Sequence, residues 1–111
     1  WKADIAIFCE RMAEYAAGIL AKFKNKFFIN FAFDITKECD CIAAVDEAKI
    51  CQDLGILASS DILAVEKASV DLLIKDEDVF FKTQKSKAYA EQLNYAAKLS
   101  LGSLDYELIK L

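Results

Sequence analysis

The strongest constraint on the fold is an alternating apolar run at positions 27–35, Phe-Phe-Ile-Asn-Phe-Ala-Phe-Asp-Ile. Large apolar side chains occupy every second position, and smaller or polar ones lie between them. Because successive side chains of a strand point to opposite faces, this period predicts a β-strand with one apolar face and one half-covered face. The apolar face would carry Ile29, Phe31, Phe33 and Ile35, and the other face Asn30, Ala32 and Asp34.

Helical spacing of apolar residues appears on both sides of this strand. It predicts helices over residues 3–23, 62–74 and 86 to about 101, with Ser60 and Asp61 as N-cap residues of the second. Residues 54–59 indicate a short buried strand, and residues 105–110 a last one. The order of these segments predicts an α/β fold in which a small, mostly β sheet of three to four strands is flanked by three main helices.

The length and composition indicate one domain spanning residues 1–111. The apolar fraction of 56% exceeds the average of globular proteins. The chain opens on Trp1 rather than Met, so we expect it to be a fragment of a larger protein in which part of this apolar surface is covered.

Charge narrows the classes of function. The formal net charge of −4 and the lack of a Lys/Arg stripe argue against binding to nucleic-acid phosphates. Charged residues interrupt every apolar stretch of about 18 residues, so no membrane span is predicted. The first helix lacks a signal-peptide pattern, and a cytoplasmic location is therefore expected.

Thiols and carboxylates are concentrated between residues 34 and 61, around a Cys-Asp-Cys tripeptide in a long connection over residues 36–53. Such groups recruit a soft or borderline cation, and the chain has no histidine, so a metal would rest on sulfur and oxygen. Cys51 is the credible third thiolate, whereas Cys9 lies on a helical apolar stripe and is predicted to be a core thiol. The candidate metal-binding residues are Cys39, Cys41, Asp40, Asp46, Asp53 and Asp34.

Spacing leaves several uses of these residues open. The cysteines can bind a metal or cluster, act as redox thiols, or simply pack. A histidine-dependent nucleophile triad is excluded, and the three isolated glycines form no phosphate-binding loop. General acid–base chemistry by a carboxylate pair, Asp34 with Asp53 or Asp46, stays open as well.

Three segments resemble the C-terminal part of the DUF362 family, an uncharacterised bacterial and archaeal group often described as iron–sulfur proteins. They are Asn-Phe-Ala-Phe-Asp-Ile-Thr at 30–36, Cys-Asp-Cys at 39–41 and Asp-Leu-Gly-Ile-Leu-Ala-Ser-Ser-Asp at 53–61. Further similarity lies at 11–16, 68–72 and 92–96, so the resemblance covers nearly the whole chain. Unlike the family pattern, this chain has no proline around the connection or after Asp61, and Glu66 stands where aspartate is usual.

The resemblance implies a metal- or iron–sulfur-associated domain with a role in redox chemistry or electron transfer, its reaction unknown. The cofactor would be an iron–sulfur cluster or a divalent metal. The expected partners are an N-terminal portion and a ferredoxin-like portion of the same protein, with homo-oligomer formation also open. Two alternatives remain: an enzyme domain with a carboxylate-lined pocket, and a structural module whose cysteines only pack.

Overall fold

The computed structural model describes residues 4–36, 48–76 and 84–111. Within these ranges the chain forms three helices and two strands, joined in the order helix, strand, strand, helix, helix. Asp4 begins the first helix as its N-cap, its carboxylate accepting a hydrogen bond from the backbone N–H of Ala6 at 3.0 Å. The elements are α1 (Ile5–Leu20), β1 (Phe28–Ala32), β2 (Gly55–Ser59), α2 (Ile62–Asp76) and α3 (Gln84–Lys98).

The sheet is smaller than the sequence predicts. In the described part of the chain it has two antiparallel strands, with Phe28 opposite Ser59 and Ala32 opposite Gly55. The prediction of a three- to four-stranded sheet is therefore wrong, although three helices around a sheet remain compatible with the α/β class. The alternation in 27–35 does predict β1, but the strand ends at Ala32 because Asp34 has a left-handed backbone with φ of 49°.

The last predicted strand, over residues 105–110, is also absent. This segment is exposed and forms no backbone ladder with β1 or β2. A side-chain hydrogen bond attaches this segment to α2: the Tyr106 hydroxyl donates to a carboxylate oxygen of Asp71 at 2.8 Å. A segment forms a strand only where another strand edge lies beside it, and the local sequence does not reveal such an edge.

Helix α2 covers one face of the sheet. Ala32 and Leu57 from the strands pack with Val65 and Ala68 in one buried cluster. Beside them the side-chain amide of Asn30 donates to Ser69 Oγ at 3.0 Å and to Glu66 Oε1 at 3.2 Å. The predicted half-covered face of β1 is thus the face that packs against α2, with one polar residue satisfied by the helix.

A second cluster joins the three helices. Ala13 of α1, Leu63 of α2, and Leu93 and Ala96 of α3 are buried together. Cys9 is 4% exposed, which confirms its prediction as a core thiol, and burial raises its pKa. Small residues at the crossing allow α1 and α3 to approach closely.

Helix α3 ends in a left-handed residue, but not at the glycine. Ser100 has φ of 58°, and the N–H groups of Ser100 and Leu101 donate to the carbonyls of Ala97 and Ala96 at 2.9 and 3.2 Å. This is a Schellman arrangement with serine at the position that glycine usually fills. Gly102 lies two residues beyond this serine, and its role lies in a contact with Asp61 described below.

Candidate functional site

The two ends of the connection that holds the Cys-Asp-Cys tripeptide lie side by side. Beyond the last sheet pair, Ala32–Gly55, the two chain segments meet again at an antiparallel bridge between Thr36 and Lys49. In the interval between these two pairs, the first segment has three residues (33–35) and the second has five (50–54). The Ile50 N–H donates to the Ile35 carbonyl at 2.9 Å, so the backbone itself holds the two ends together.

Asp34 and Asp53 meet across this interval. The backbone N–H of Asp34 donates to Oδ1 of Asp53 at 3.0 Å. The left-handed φ of Asp34 turns the strand out of its regular alternation, and aspartate tolerates this conformation better than a branched residue does. The Asp53 carboxylate thus replaces the ladder partner that β1 loses at this point.

Lys49 links the two carboxylates. Its ammonium forms an ion pair with Asp34 Oδ1 and lies 3.4 Å from Asp53 Oδ1. The hydrogen bond to Asp34 raises the pKa of Lys49, while the N–H of Asp34 and then the Lys49 ammonium lower the pKa of Asp53. We call Asp34, Lys49 and Asp53, together with the Thr36–Lys49 bridge, the base of the connection.

The structure brings together two of the six candidate metal-binding residues, Asp34 and Asp53. The other four, Cys39, Asp40, Cys41 and Asp46, lie outside the described residues, and Cys51 at the base is half-buried. Within 4–36, 48–76 and 84–111, no three Cys, Asp or Glu side chains are grouped so that they could hold one metal ion. The Lys49 charge between Asp34 and Asp53 opposes a cation at that point.

Lys49 was not among the predicted site residues. One signal in the sequence could have indicated it. Lys49 stands four residues before Asp53, a spacing short enough for the two side chains to form an ion pair. Its contact with Asp34 depends on the antiparallel bridge, and local sequence does not reveal that.

The transition from β2 into α2 presents the first backbone N–H groups of a helix, which can hold an anion. Here Asp61 itself takes that place: its Oδ1 accepts from the N–H groups of Leu63 and Ala64 at 2.8 and 3.1 Å. Its Oδ2 accepts from the N–H of Ser103 at 2.8 Å. The prediction of Asp61 as an N-cap is confirmed, and the capped helix end is occupied by the chain's own carboxylate.

Comparisons with known proteins do not identify the chain: no family model, no curated protein and no solved structure matches it. In the described part of the chain, no helix is long and apolar enough to cross a bilayer.

Proposed function

We propose that this chain is the C-terminal part of a DUF362-like protein and that it binds an iron–sulfur cluster or a divalent metal through Cys39 and Cys41. Asp40 and Asp46 would complete or shape the site. The observation that carries the proposal is the closed base, because it puts both cysteines in one connection whose ends, Thr36 and Lys49, are neighbours.

The donor set supports this proposal on chemical grounds. Thiolates favour zinc and iron–sulfur clusters, and Cys39 and Cys41 are two thiols separated by one residue in a segment that also carries two aspartates. Cys51 is half-buried two residues beyond the bridge and is the third cysteine close to this connection. The residues present therefore fit a soft or borderline metal better than a hard one such as magnesium.

The base supports the proposal on energetic grounds. A closed connection has fewer conformations than an open one, so less conformational entropy is lost when its cysteines converge on a metal. We assign Asp34 and Asp53 to this closing role, since Lys49 already neutralises them. A bound cluster would supply one-electron transfer, and a bound zinc would supply structural cross-linking.

The contacts at the base give the carboxylate-pair enzyme no support. A general acid at neutral pH needs a raised pKa, whereas the contacts of Asp53 lower its pKa. Asp34 and Asp53 are also largely exposed and ion-paired to Lys49. For these reasons we do not propose a second function.

The test is anaerobic purification followed by metal analysis and a visible absorption spectrum, before and after reconstitution with iron and sulfide. We expect at least one equivalent of metal per protein chain. For a cluster, we also expect a thiolate charge-transfer band in the visible spectrum. Cys39→Ser and Cys41→Ser should each abolish both signals. Cys9→Ser is the matched control, since this buried thiol on α1 is far from the base along the chain, and it should retain metal if it folds.

The proposal fails if neither purified nor reconstituted protein holds metal, or if the double variant Cys39→Ser, Cys41→Ser binds as much metal as the parent chain. A folded Cys9→Ser variant that loses the metal would contradict the assignment of the ligands.

A further inference from the structure

Helix α1 has two apolar surfaces, and α3 covers one of them. Cys9 and Ala13 lie on the covered surface and are 4% and 3% exposed. The other surface consists of large side chains that remain about half exposed or more, and we call it the α1 stripe. Its members are Ile5 (59% exposed), Phe8 (55%), Met12 (46%), Tyr15 (78%) and Ile19 (52%).

The spacing of the α1 stripe indicates the kind of partner it fits. Its members follow one another at intervals of three, four, three and four residues, which is the a/d pattern of a coiled-coil seam. A stripe restricted to these positions is narrower than the apolar face that a globular core requires. It is therefore suited to a single α-helix, whose side chains insert between the members of the stripe.

We propose that the α1 stripe binds the α1 stripe of a second copy of this chain, antiparallel and with Met12 near the two-fold axis. Reversing the helix leaves the pattern nearly unchanged, so that Ile5 lies opposite Ile19 of the partner copy and Phe8 opposite its Tyr15. A self-complementary patch of this kind forms a closed dimer.

Charge at the helix ends favours the antiparallel direction. The N-terminal end of α1 carries Asp4, and its C-terminal end is followed by Lys22, Lys24 and Lys26, of which Lys26 donates to the Leu20 carbonyl at 3.2 Å. Antiparallel helices bring this lysine run near Asp4 of the other copy and oppose the two helix dipoles. Parallel helices would bring lysines against lysines.

The size of the stripe predicts a weak dimer. If each of the five side chains loses on the order of 100 Å² of exposed surface, each copy buries on the order of 500 Å². Stable complexes typically bury about 800 Å² per partner. We therefore expect a dissociation constant in the micromolar range rather than the nanomolar range.

The experiment is sedimentation equilibrium of the full chain from about 10 µM to about 1 mM. The parent chain should rise from its mass of 12.4 kDa toward twice that value. Met12→Lys should raise the dissociation constant at least about tenfold, because it puts two like charges at the two-fold axis. Ile7→Lys is the matched control: Ile7 is 54% exposed on the same helix but outside the stripe, and the variant should dimerise like the parent.

A charge swap tests the symmetry directly. Met12→Lys and Met12→Glu should each dimerise more weakly than the parent, and an equimolar mixture should associate more tightly than either variant alone. Tyr15→Lys provides a second disruptive variant at the most exposed member of the stripe, in case either Met12 variant fails to fold.

Three results would overturn the proposal. The parent chain could stay monomeric at the highest concentration. Ile7→Lys could weaken the dimer as much as Met12→Lys does. Finally, a dimer could resist both Met12→Lys and Tyr15→Lys but dissociate with Phe31→Lys, which would place the interface on the sheet.

Discussion

Two glycines show how strongly the effect of adding one methyl group depends on the atoms around it. A Cβ at Gly102 would overlap the Asp61 carboxylate, which is held in place by three backbone N–H groups. A Cβ at Gly18, inside α1, would have no atom within 4 Å. Glycine is thus required at 102 by close approach, and at 18 the described contacts give no such requirement.

We accordingly expect opposite effects of the same substitution. Gly102→Ala should lower the free energy of unfolding by about 1–3 kcal/mol, because the overlap displaces the cap of α2. Gly18→Ala should raise it by up to about 1 kcal/mol through helix propensity. Urea denaturation at one low protein concentration measures both, and equal effects at the two positions would contradict the contact with Asp61.

The base of the connection should respond to pH on both sides of neutrality. The folded pKa of Asp53 lies below its unfolded value, so its stabilising contribution is present above about pH 4 and is lost as pH falls through the folded pKa. The pKa of Lys49 is raised, so its contribution is present below about pH 10 and is lost as pH rises through the folded pKa.

The Asp53→Asn variant distinguishes the contribution of Asp53 to the pH dependence of stability from the contributions of the other carboxylates. Asparagine keeps an oxygen for the Asp34 N–H but cannot titrate or pair with Lys49 as an ion. The difference in unfolding free energy between parent and variant should be constant near neutral pH and shrink in acid. A difference that is unchanged down to pH 2 would show that the ionised Asp53 contributes nothing at the base.

The contact between β1 and α2 depends on a polar residue in an apolar interface. Asn30 donates to Glu66 and Ser69, and the Ser69 hydroxyl donates in turn to the Val65 carbonyl at 2.7 Å. Asn30→Ala should destabilise the chain by about 1–2 kcal/mol, because it removes a hydrogen-bond donor from a half-buried carboxylate. In the double variant Asn30→Ala, Glu66→Ala the total loss of unfolding free energy should be smaller than the sum of the two single losses. Simple additivity of the two losses would argue against the network.

Helices and the two strands were predictable because their signals are local. Apolar spacing predicted α1, α2 and α3 to within a few residues, and the alternation at 27–35 and the apolar run at 54–59 predicted β1 and β2. The strand number was not predictable, because a strand needs a partner edge, and residues 105–110 have no ladder partner in the described part of the chain. Asp34 and Asp53 were predicted as metal-binding residues, and their contact with Lys49 was not predicted because it depends on a bridge between segments separated in the sequence.

The molecule as a whole exposes a second apolar surface, on the side of the sheet opposite α2. We call it the aromatic face; it consists of Phe27, Ile29, Phe31, Phe33 and Ile56, each 41–67% exposed. Phe31 and Phe33 have ring centroids 6.4 Å apart. A contiguous surface of this kind in a folded domain is a binding surface or an aggregation hazard.

Polar substitution on the aromatic face should therefore improve solubility at little cost in stability. Phe31→Ser removes a ring that is 67% exposed, so the free energy of unfolding should change by no more than about 0.5 kcal/mol. The binding of a hydrophobic dye and light scattering at high concentration should both fall. The interior substitution Leu57→Ser, at a residue 7% exposed, is the contrasting control and should unfold the chain or nearly so.

The paired ends at Thr36 and Lys49 also make the domain an acceptor for grafted peptides. Since the bridge and the Asp34–Lys49–Asp53 contacts lie on the scaffold side, the twelve positions between the bridge partners form a cassette that can be exchanged without breaking those contacts. The entropy of loop closure grows slowly with length, so cassettes of moderately different size should be tolerated. The same scaffold could display metal-binding sequences of chosen composition.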